Sequence, residues 1–322
     1  MSEVLVARWS EIEAVLPGID LLTEMERAFC AYSAGQCVVP PVGELLFDDP
    51  PGDVHLKYGY VRGEETYVVK IASGFYANAA LGLPSSQGLM LLFRQTTGEP
   101  LAVLLDEGRL TDLRTAAAGA LAARTFAPKN IECIGVLGTG IQARRQVEAL
   151  QDVTDCRRVL AWARHEKALS AYRAVMENKG FEVLTTTDPD ELGASCSLIV
   201  TTTPATTALI SEASIRPGTH ITAVGSDTAD KQELEAALLR RADLVVGDSR
   251  SQCRERGEIS QAVRDGALGE DEFVELGEVL AGKCPGRTDA DQITVCDLTG
   301  VAVQDVAIAS AVYRALTSKV RK

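Results

Sequence analysis

Apolar positions in the first third of the chain follow a helical repeat and then several strand-like runs. Hydrophobic residues recur at helical spacing over 19–35, and a glycine stands where this helix would end. The stretch 40–53 is rich in proline, glycine and aspartate, which predicts turns. Short β-rich runs follow at 54–61, 66–73, 88–93 and 101–105. They predict an antiparallel or mixed sheet in a first domain.

A helix predicted at 110–127 leads into a second pattern. It has an alanine-rich body, Thr111 as its predicted N-cap and Pro128 just beyond its end. Strand-like and helix-like runs then alternate, which favours a parallel, doubly wound sheet. The predicted strands are 132–137, 158–162, 182–185, 198–202, 220–224, 244–246 and 293–296, and a last helix covers 299–318.

The predicted fold class is therefore α/β, with a Rossmann doubly wound dinucleotide-binding domain over 128–297. An N-terminal α+β domain covers 1–127, and the C-terminal segment 298–322 returns to it and completes it. The length of 322 residues suits two domains of roughly 150 residues each. With 46% hydrophobic and 24% charged residues, the chain has the composition of a globular protein.

Charge and cysteine usage exclude several classes of function. The net charge is −13, and an acidic surface repels phosphate backbones and anionic lipid, so we expect neither nucleic acid nor a membrane as partner. No apolar run reaches the ~18 residues of a spanning helix, and no secretory signal opens the chain. The 8 cysteines and 3 histidines show no metal-ligand spacing, so no metal site is predicted and a reducing cytoplasm is expected.

A glycine-rich turn follows the predicted strand 132–137. It reads Gly138-Thr-Gly140-Ile-Gln-Ala143 and runs into a helical pattern from Arg144. Gly138 permits a tight turn, Gly140 lets backbone amides approach a pyrophosphate, and Ala143 lets the helix pack on its strand. Glycine turns also serve plain chain reversal, but a strand before, a helix after and βαβ repeats downstream indicate a dinucleotide site.

The end of the next Rossmann strand bears on which dinucleotide binds. An acidic residue there would accept a hydrogen bond from the ribose 2′-hydroxyl of NAD. Here Ala163 stands in that place and Arg164 follows, which could pair with a 2′-phosphate. We therefore expect NADP(H), with NAD(H) as the alternative if Arg164 and Lys167 are only solvated residues of the next helix.

Three charged residues interrupt the patterns around them. Lys70 breaks an apolar strand, and Arg114 opens a helix of small residues. Asp227 follows the strand 220–224 at its carboxyl end, where open α/β sheets bind ligands. Each has a structural alternative: a lysine on a solvent face, an arginine in an ion pair, or an aspartate capping a helix from Asp230.

These stretches resemble the ornithine cyclodeaminase/mu-crystallin family over nearly the whole chain. The segments that carry the resemblance are 69–78, 110–118, 138–143, 223–231 and 297–305. Within the family, 82–90 and 225–233 look most like the ectoine-utilisation and imino-acid (ketimine) reductase members. The resemblance implies a homodimer in which the N-terminal domain holds the substrate and the dimer sheet, with the C-terminal helix packed across that domain.

The resemblance also implies roles for single residues. Lys70 and Arg114 match the family's carboxylate-binding lysine and arginine, and Asp227 matches its catalytic aspartate, with Lys70 counted as catalytic as well. Thr299 would lie beside the substrate. The resemblance implies cofactor contacts at Ser85, Arg114, Gly138, Thr139, Gly140, Gly225, Lys231 and Leu298. Beside these we expect cofactor contacts from Ile141, Gln142, Arg164, Thr203, Val224 and Ser226.

One departure from the family pattern concerns the substrate. Many members carry an arginine shortly after the prolines of the first domain, whereas this chain reads Pro40-Pro-Val-Gly-Glu44. Lys57 could replace that arginine, or Glu44 could meet a substrate amine. The departure leaves the substrate open and does not affect the class of reaction.

Two cations, one acid and a nicotinamide suit hydride transfer at the α-carbon of an amino or imino acid. Lys70 and Arg114 would hold the carboxylate, and Asp227 would manage a proton on nitrogen. We expect an NAD(P)H-dependent reductase of a small α-imino acid. An ornithine cyclodeaminase-like ammonia-lyase with recycling NAD is the alternative, and a non-catalytic ligand-binding mu-crystallin-like protein is a further one. A plain alcohol dehydrogenase is disfavoured because the chain has no Tyr-x-x-x-Lys.

Overall fold

The computed structural model describes residues 3–320, whose contacts divide them into two compact units. The first unit runs to Arg114 and resumes at Val301, and the second is Thr115–Gly300. One boundary therefore falls inside a helix rather than after it. We predict a substrate-binding and dimerisation domain over 1–127 with 298–322, and a nucleotide-binding domain over 128–297. This assignment of roles to segments stays a prediction.

Strands and helices alternate throughout the second unit, whereas strands dominate the first. The strands are β1 (Leu5–Arg8), β2 (Cys37–Val38), β3 (Gly43–Asp48), β4 (Pro51–Val61), β5 (Thr66–Gly74), β6 (Ser86–Arg94), β7 (Pro100–Leu105), β8 (Ile134–Leu137), β9 (Arg158–Trp162), β10 (Glu182–Thr186), β11 (Leu198–Thr201), β12 (Thr206–Ile210), β13 (His220–Ala223), β14 (Gln232–Leu234), β15 (Leu244–Gly247), β16 (Val274–Glu275) and β17 (Thr294–Asp297). The helices are α1 (Trp9–Glu13), α2 (Leu21–Ser33), α3 (Arg109–Phe126), α4 (Ile141–Ala149), α5 (Glu166–Glu177), α6 (Asp190–Ser195), α7 (Ala236–Arg241), α8 (Arg250–Cys253), α9 (Gly257–Arg264), α10 (Leu276–Leu280) and α11 (Ala302–Val320).

The first unit is built on one mixed sheet with the order β1-β7-β6-β5-β4-β2, and β3 pairs with β4 as well. β1 runs parallel to β7, and the remaining pairs are antiparallel. Residues alternate in burial along β5 as the period of a strand requires, with Thr66, Val68 and Lys70 buried. Helix α11 contacts β4 and β5 and packs also on α2. The apolar positions of α11 therefore contribute to the core of this unit.

The second unit is built on an eight-stranded parallel sheet in the order β10-β9-β8-β11-β13-β17-β15-β16. Its strands are buried almost throughout, as expected of a parallel sheet covered on both faces. The strand order reverses direction at β8, since β9 and β10 lie on one side of it and β11 on the other. Open α/β sheets bind ligands at such a switch point, beyond the carboxyl ends of the strands. The predicted Rossmann-type α/β fold with a second, mixed-sheet domain is confirmed.

Three local predictions are wrong. The stretch 40–53 is not all turns, because its apolar run forms the edge strand β3, held by main-chain pairing with β4. Thr111 is not the N-cap of its helix: α3 begins two residues earlier, and Asp106 Oδ2 accepts from the Leu110 amide at 3.0 Å. No helix begins at Asp230, because β14 pairs there with β12.

Candidate active site

Lys70 lies on the buried face of β5, at 3% exposure. Its Nζ is 3.0 Å from Oδ2 of Asp305, in the first turn of α11. The solvent-face alternative for this lysine is therefore wrong. A charged side chain inside an apolar strand is tolerated here because the helix above the sheet supplies a carboxylate.

Arg114 reaches the same carboxylate from α3. Its Nε donates to Asp305 Oδ1 at 3.0 Å, and its Nη1 donates to Gln304 Oε1. The arginine side chain is 6% exposed and the aspartate 1%. Lys70 and Arg114, predicted from the sequence, thus lie together around one acid, which we call the mixed-charge cluster of Lys70, Arg114 and Asp305.

The charges in this cluster shift one another's protonation. Burial lowers the pKa of Lys70 to about 7, against the opposing attraction of Asp305. Burial alone would raise the pKa of Asp305, but Arg114 and Lys70 outweigh it and keep that pKa below its usual value. Two cations face one anion, so the cluster retains positive charge whenever Lys70 is protonated. A second carboxylate, brought by a ligand, would complement it.

Lys57 lies on β4, the strand next to Lys70, and Glu44 lies one strand further away, on β3. Lys57 on β4 pairs directly with Lys70 on β5, and cross-strand partners share one face of a sheet. Its charge lowers the pKa of Lys70 further, after burial and the Arg114 charge. Glu44 on β3 pairs with His55, and its Oε1 is 3.6 Å from His55 Nδ1. Their substrate-binding roles stay predictions.

Ser85, the remaining candidate of the first unit, directly precedes β6. Its carbonyl oxygen accepts from the Phe75 amide at 2.8 Å, and its side chain is half-buried. Its role as a cofactor contact stays a prediction.

In the second unit the glycine-rich turn joins β8 to α4. Gly138 has φ +116°, which glycine adopts easily, and a Cβ at this position would lie 2.6 Å from Thr202 Oγ1. Gly140 is the N-cap of the nine-residue helix α4, and Ala143 is fully buried against the sheet. The turn is therefore a cradle of backbone amides at a helix N-terminus, and its residues fit a pyrophosphate.

Further candidates flank this cradle. Thr139 and Gln142 are half-buried, and Ile141 is 53% exposed at the start of α4. On the neighbouring strand, Ala163 is buried directly after β9 and Arg164 is exposed. Arg164 therefore follows the carboxyl end of the strand next to β8, where a ribose would be read.

The other cofactor candidates follow β11, β13 and β17, which lie side by side with β8 in the sheet. The Val224 amide donates to Thr201 O at 3.0 Å, and the Leu298 amide donates to Ala223 O at 2.9 Å. Both contacts continue the strand pairing past the strand ends. The cofactor candidates at this edge are Thr203, Val224, Gly225, Ser226 and Leu298, and the substrate candidate Thr299 directly follows Leu298.

Asp227 lies in the turn between β13 and β14 of the second unit. Its carboxylate Oδ1 is 2.6 Å from Nζ of Lys231, and its side chain is 53% exposed. Ser226 Oγ donates to the Lys231 carbonyl at 2.7 Å, which closes the turn. The helix-cap alternative for Asp227 is wrong, because no helix follows it. Asp227 follows the carboxyl end of β13, and its catalytic role stays a prediction.

Sequence reasoning missed several residues that organise these sites. Asp305 and Gln304 are charged and polar residues in an apolar helix, the same signal that singled out Lys70 in its strand. Glu233, which binds the backbone at the carboxyl ends of β11 and β13, gave no signal, because it stands in a polar run beside Lys231.

No group of three or more histidine, cysteine or acidic side chains within residues 3–320 could hold a metal ion. Over the same residues, no helix has the length and apolar character needed to cross a bilayer.

Comparison with known proteins gives a family match over nearly the whole chain. Residues 2–320 match the model of the ornithine cyclodeaminase/mu-crystallin family. An archaeal alanine dehydrogenase dimer with bound NAD is 34% identical and superimposes with a TM-score of 0.90, covering 98% of this chain and 97% of the other.

Two further solved structures are similar over 98% of this chain. The Δ1-pyrroline-2-carboxylate reductase of Thermococcus litoralis, in complex with NADH and L-proline, is 28% identical over 98% of its own length, with a TM-score of 0.91. The iminosuccinate reductase of Paracoccus denitrificans, in complex with NAD+, is 31% identical over 97% of its length, with a TM-score of 0.87.

Proposed function

The chain belongs to the ornithine cyclodeaminase/mu-crystallin family, and from that premise we propose that it is an NAD(P)H-dependent reductase of a small α-imino acid. The observation that carries this proposal is the mixed-charge cluster, in which Lys70 and Arg114 share the buried carboxylate of Asp305. Solved relatives whose structures contain NADH with proline, or NAD+ in an iminosuccinate reductase, support the same class of reaction.

Lys70 and Arg114 hold the substrate carboxylate in this proposal. A guanidinium whose Nε is fixed by Asp305 holds its remaining N–H donors in one plane and one orientation, which suits a carboxylate better than a mobile ammonium does. Lys57 adds a third cation on the same face of the sheet. Fixing the carboxylate also fixes the neighbouring α-carbon, and such positioning supplies a large part of the rate enhancement of a two-substrate reaction.

Asp227 manages the proton on nitrogen. When bound, a reduced nicotinamide would supply the hydride that converts the C=N double bond of an imine into a C–N single bond. Asp227 stabilises the positive charge of the protonated imine and exchanges a proton with its nitrogen. Its ion pair with Lys231 holds the side chain in one place.

The cradle formed by Gly138, Gly140 and the N-terminus of α4 would hold the pyrophosphate of the cofactor. We propose NADPH as the preferred reductant and NADH as the alternative, because Arg164 is exposed directly after β9 and the acid that would select NAD is absent there. Arg164→Ala is then expected to weaken NADPH much more than NADH in a binding titration. Equal losses for both nucleotides would favour NADH.

A cyclodeaminase that forms proline from ornithine is the second candidate. It would use the same carboxylate grip and the same acid, and Glu44, on the strand next to Lys57, could receive the second amine of ornithine. In that reaction a hydride would leave the α-carbon of ornithine, the second amine would displace ammonia, and the hydride would return to form proline, so no nicotinamide is consumed.

We also propose a homodimer formed through the first unit, in the cytoplasm. Leu45, Leu46 and Phe47 are 54%, 76% and 44% exposed on the edge strand β3, and a partner would cover them. All eight cysteines are free thiols, which suits a reducing compartment. Sedimentation analysis of the purified chain tests the dimer.

The decisive experiment follows nicotinamide absorbance with a panel of imino acids. Pyrroline-2-carboxylate, piperideine-2-carboxylate, and pyruvate or oxaloacetate with ammonium are each offered with NADPH and with NADH. Ornithine with NAD runs beside them, with proline detection. Oxidation of the reduced nucleotide by at least one imine is expected. Proline formation from ornithine without net change in absorbance would support the cyclodeaminase instead, and binding without turnover would support a storage protein.

A further inference from the structure

Glu233 on β14 is a fully buried carboxylate that binds main-chain amides from two different strand ends. Its Oε1 accepts from the Thr203 amide at 2.6 Å, and its Oε2 accepts from the Gly225 amide at 3.0 Å. Thr203 follows β11 and Gly225 follows β13. One side chain therefore joins the carboxyl ends of two neighbouring strands of the parallel sheet.

The contact with Gly225 is close enough to exclude any side chain there. A Cβ on residue 225 would lie 2.3 Å from Glu233 Oε2 and 2.4 Å from the carbonyl oxygen of Thr203. A side chain at 225 is therefore excluded both by the Glu233 carboxylate and by the Thr203 carbonyl. Glycine at 225 thus reflects its close packing against Glu233 and Thr203, and not only the preference of glycine for turns.

The hydrogen bond between the Gly225 amide and the Glu233 carboxylate closes the turn that carries Asp227. Gly225 and Glu233 stand at the two ends of the segment 225–233, and the carboxylate–amide bond joins those ends. Inside the segment, the Ser226 hydroxyl binds the Lys231 carbonyl and the Lys231 ammonium binds Asp227. Three hydrogen bonds, together with the covalent chain between them, therefore link Glu233 to the Asp227 carboxylate.

We propose that Glu233 is a positioning residue, which holds the turn 225–231 so that the Asp227 carboxylate meets the reacting nitrogen. The proposal rests on the function proposed above, in which Asp227 is the proton-handling acid. In this role Glu233 acts through the backbone amides of Gly225 and Thr203 rather than on the substrate itself.

The backbone of Glu233 is in turn bound by a second buried acid, Glu258. Glu258 on α9 accepts from the Glu233 amide at 2.8 Å and from the Leu234 amide at 3.1 Å. Glu258 and Asp297, at the end of β17, are the acids that interact with Glu233. Burial raises the pKa of Glu233 to about 7, so a proton can bind near neutral pH. Protonation places an O–H donor on one carboxyl oxygen, which weakens the hydrogen bond from the amide that faces this oxygen.

The test uses Glu233→Gln beside the matched control Glu235→Gln. Glu235 is exposed two residues further on and also accepts a main-chain amide, that of Glu212 at 2.7 Å. E233Q places an NH2 group against one of the two amides and breaks that bond. Hydrogen exchange followed by mass spectrometry should show faster exchange in the peptide that contains 225–231 in E233Q, and no change in E235Q. Unchanged exchange in E233Q would overturn the proposal, whatever the activity.

Kinetics then show whether the turn acts through Asp227. E233Q is expected to lower kcat by roughly tenfold to a hundredfold, the scale of a misplaced catalytic group, with a smaller change in KM. On an Asp227→Asn background, E233Q should add almost nothing, because the acid it positions is already lost. Multiplying losses in the double variant would overturn the proposal. If E233Q does not fold, Glu233→Asp takes its place, because it keeps the charge on a shorter side chain. The same comparison of single and double variants with Asp227→Asn is then made.

The two proposals fail in different ways. Near-normal turnover in D227N would remove the proton role of Asp227, and with it both proposals. An impaired D227N beside a fully active E233Q would remove only the positioning role of Glu233.

Discussion

Two groups of buried charged side chains in this protein differ in what balances their charge. In the first unit, the mixed-charge cluster sets the cations Lys70 and Arg114 against one acid. In the second unit, the acids are bound mainly by main-chain amides and hydroxyls, and we call this set the carboxylate cluster: Glu233, Glu258, Asp297 and Asp248.

The pKa values of the acids differ between the two clusters for this reason. Cations keep the pKa of Asp305 below its usual value in spite of burial. Burial raises the pKa of each acid in the carboxylate cluster, since amide dipoles offset only part of the cost of desolvation. A cluster with spare positive charge can bind a substrate anion, whereas acids bound to the backbone hold strand ends in place. The first arrangement suits recognition and the second suits positioning.

Asp305→Asn should have the largest effect on stability, because it leaves two buried cations without their acid. Breaking a buried ion pair from one side costs about 3–5 kcal/mol. We expect the denaturation midpoint in urea to fall sharply. The control is Asp271→Asn, which removes the acid of an exposed ion pair with Arg254 and should change the midpoint little. Equal small shifts would show that the mixed-charge cluster contributes nothing to folding.

Arg114→Lys should have the next largest effect, on substrate binding. Lysine keeps the charge but loses the planar two-point grip, so we expect KM for an imino acid to rise about tenfold, equivalent to ~1.4 kcal/mol. Arg109→Lys on the same helix is the control, because Arg109 forms an exposed ion pair with Glu107. If KM is unchanged in R114K, the substrate carboxylate binds elsewhere.

The same contrast explains what the sequence could predict. Lys70 and Arg114 stood out because a charge in an apolar strand or a small-residue helix breaks a local pattern. Their shared partner did not, since Asp305 lies 235 residues from Lys70 along the chain and only folding joins them. Glu233 was hidden for the opposite reason, because a glutamate in a polar run resembles a solvated turn until β14 pairs with β12 and buries it.

The positions of strands and helices along the chain could be predicted better than the pairing between them. Strand β9 has the predicted bounds, because a buried apolar run that follows the exposed Arg158 leaves little choice of where the strand lies. Strand β3 was missed, since its apolar residues do not alternate with polar ones and its pairing with β4 decides its conformation. The edge of a sheet depends on a neighbour that the local pattern does not reveal.

A smaller effect is expected from the protonation of Lys70. Because burial lowers the pKa of this lysine to about 7, its ammonium is lost as the pH rises through neutrality, and the attraction for a carboxylate falls with it. KM for the imino acid should therefore rise as the pH passes upward through about 7, after correction for the substrate's own ionisation. Lys70→Met should show a higher KM that no longer rises in this range, whereas the exposed control Lys129→Met should keep the wild-type rise.

The smallest effect is expected from the carboxylate cluster, in the dependence of stability on pH. The pKa of Glu233 is about 7 in the folded chain, and the ordinary glutamate value of 4.5 applies to the unfolded chain. Between these values the folded chain keeps a proton that the unfolded chain has lost, so this residue's contribution to stability is present below pH 4.5 and is lost as the pH rises through 7. Glutamine does not titrate, so the Tm of E233Q should fall less than that of the wild type over this window, with roughly 2–4 °C for each kcal/mol. E235Q should keep the wild-type slope, and parallel curves for all three proteins would show that folding does not change the pKa of Glu233.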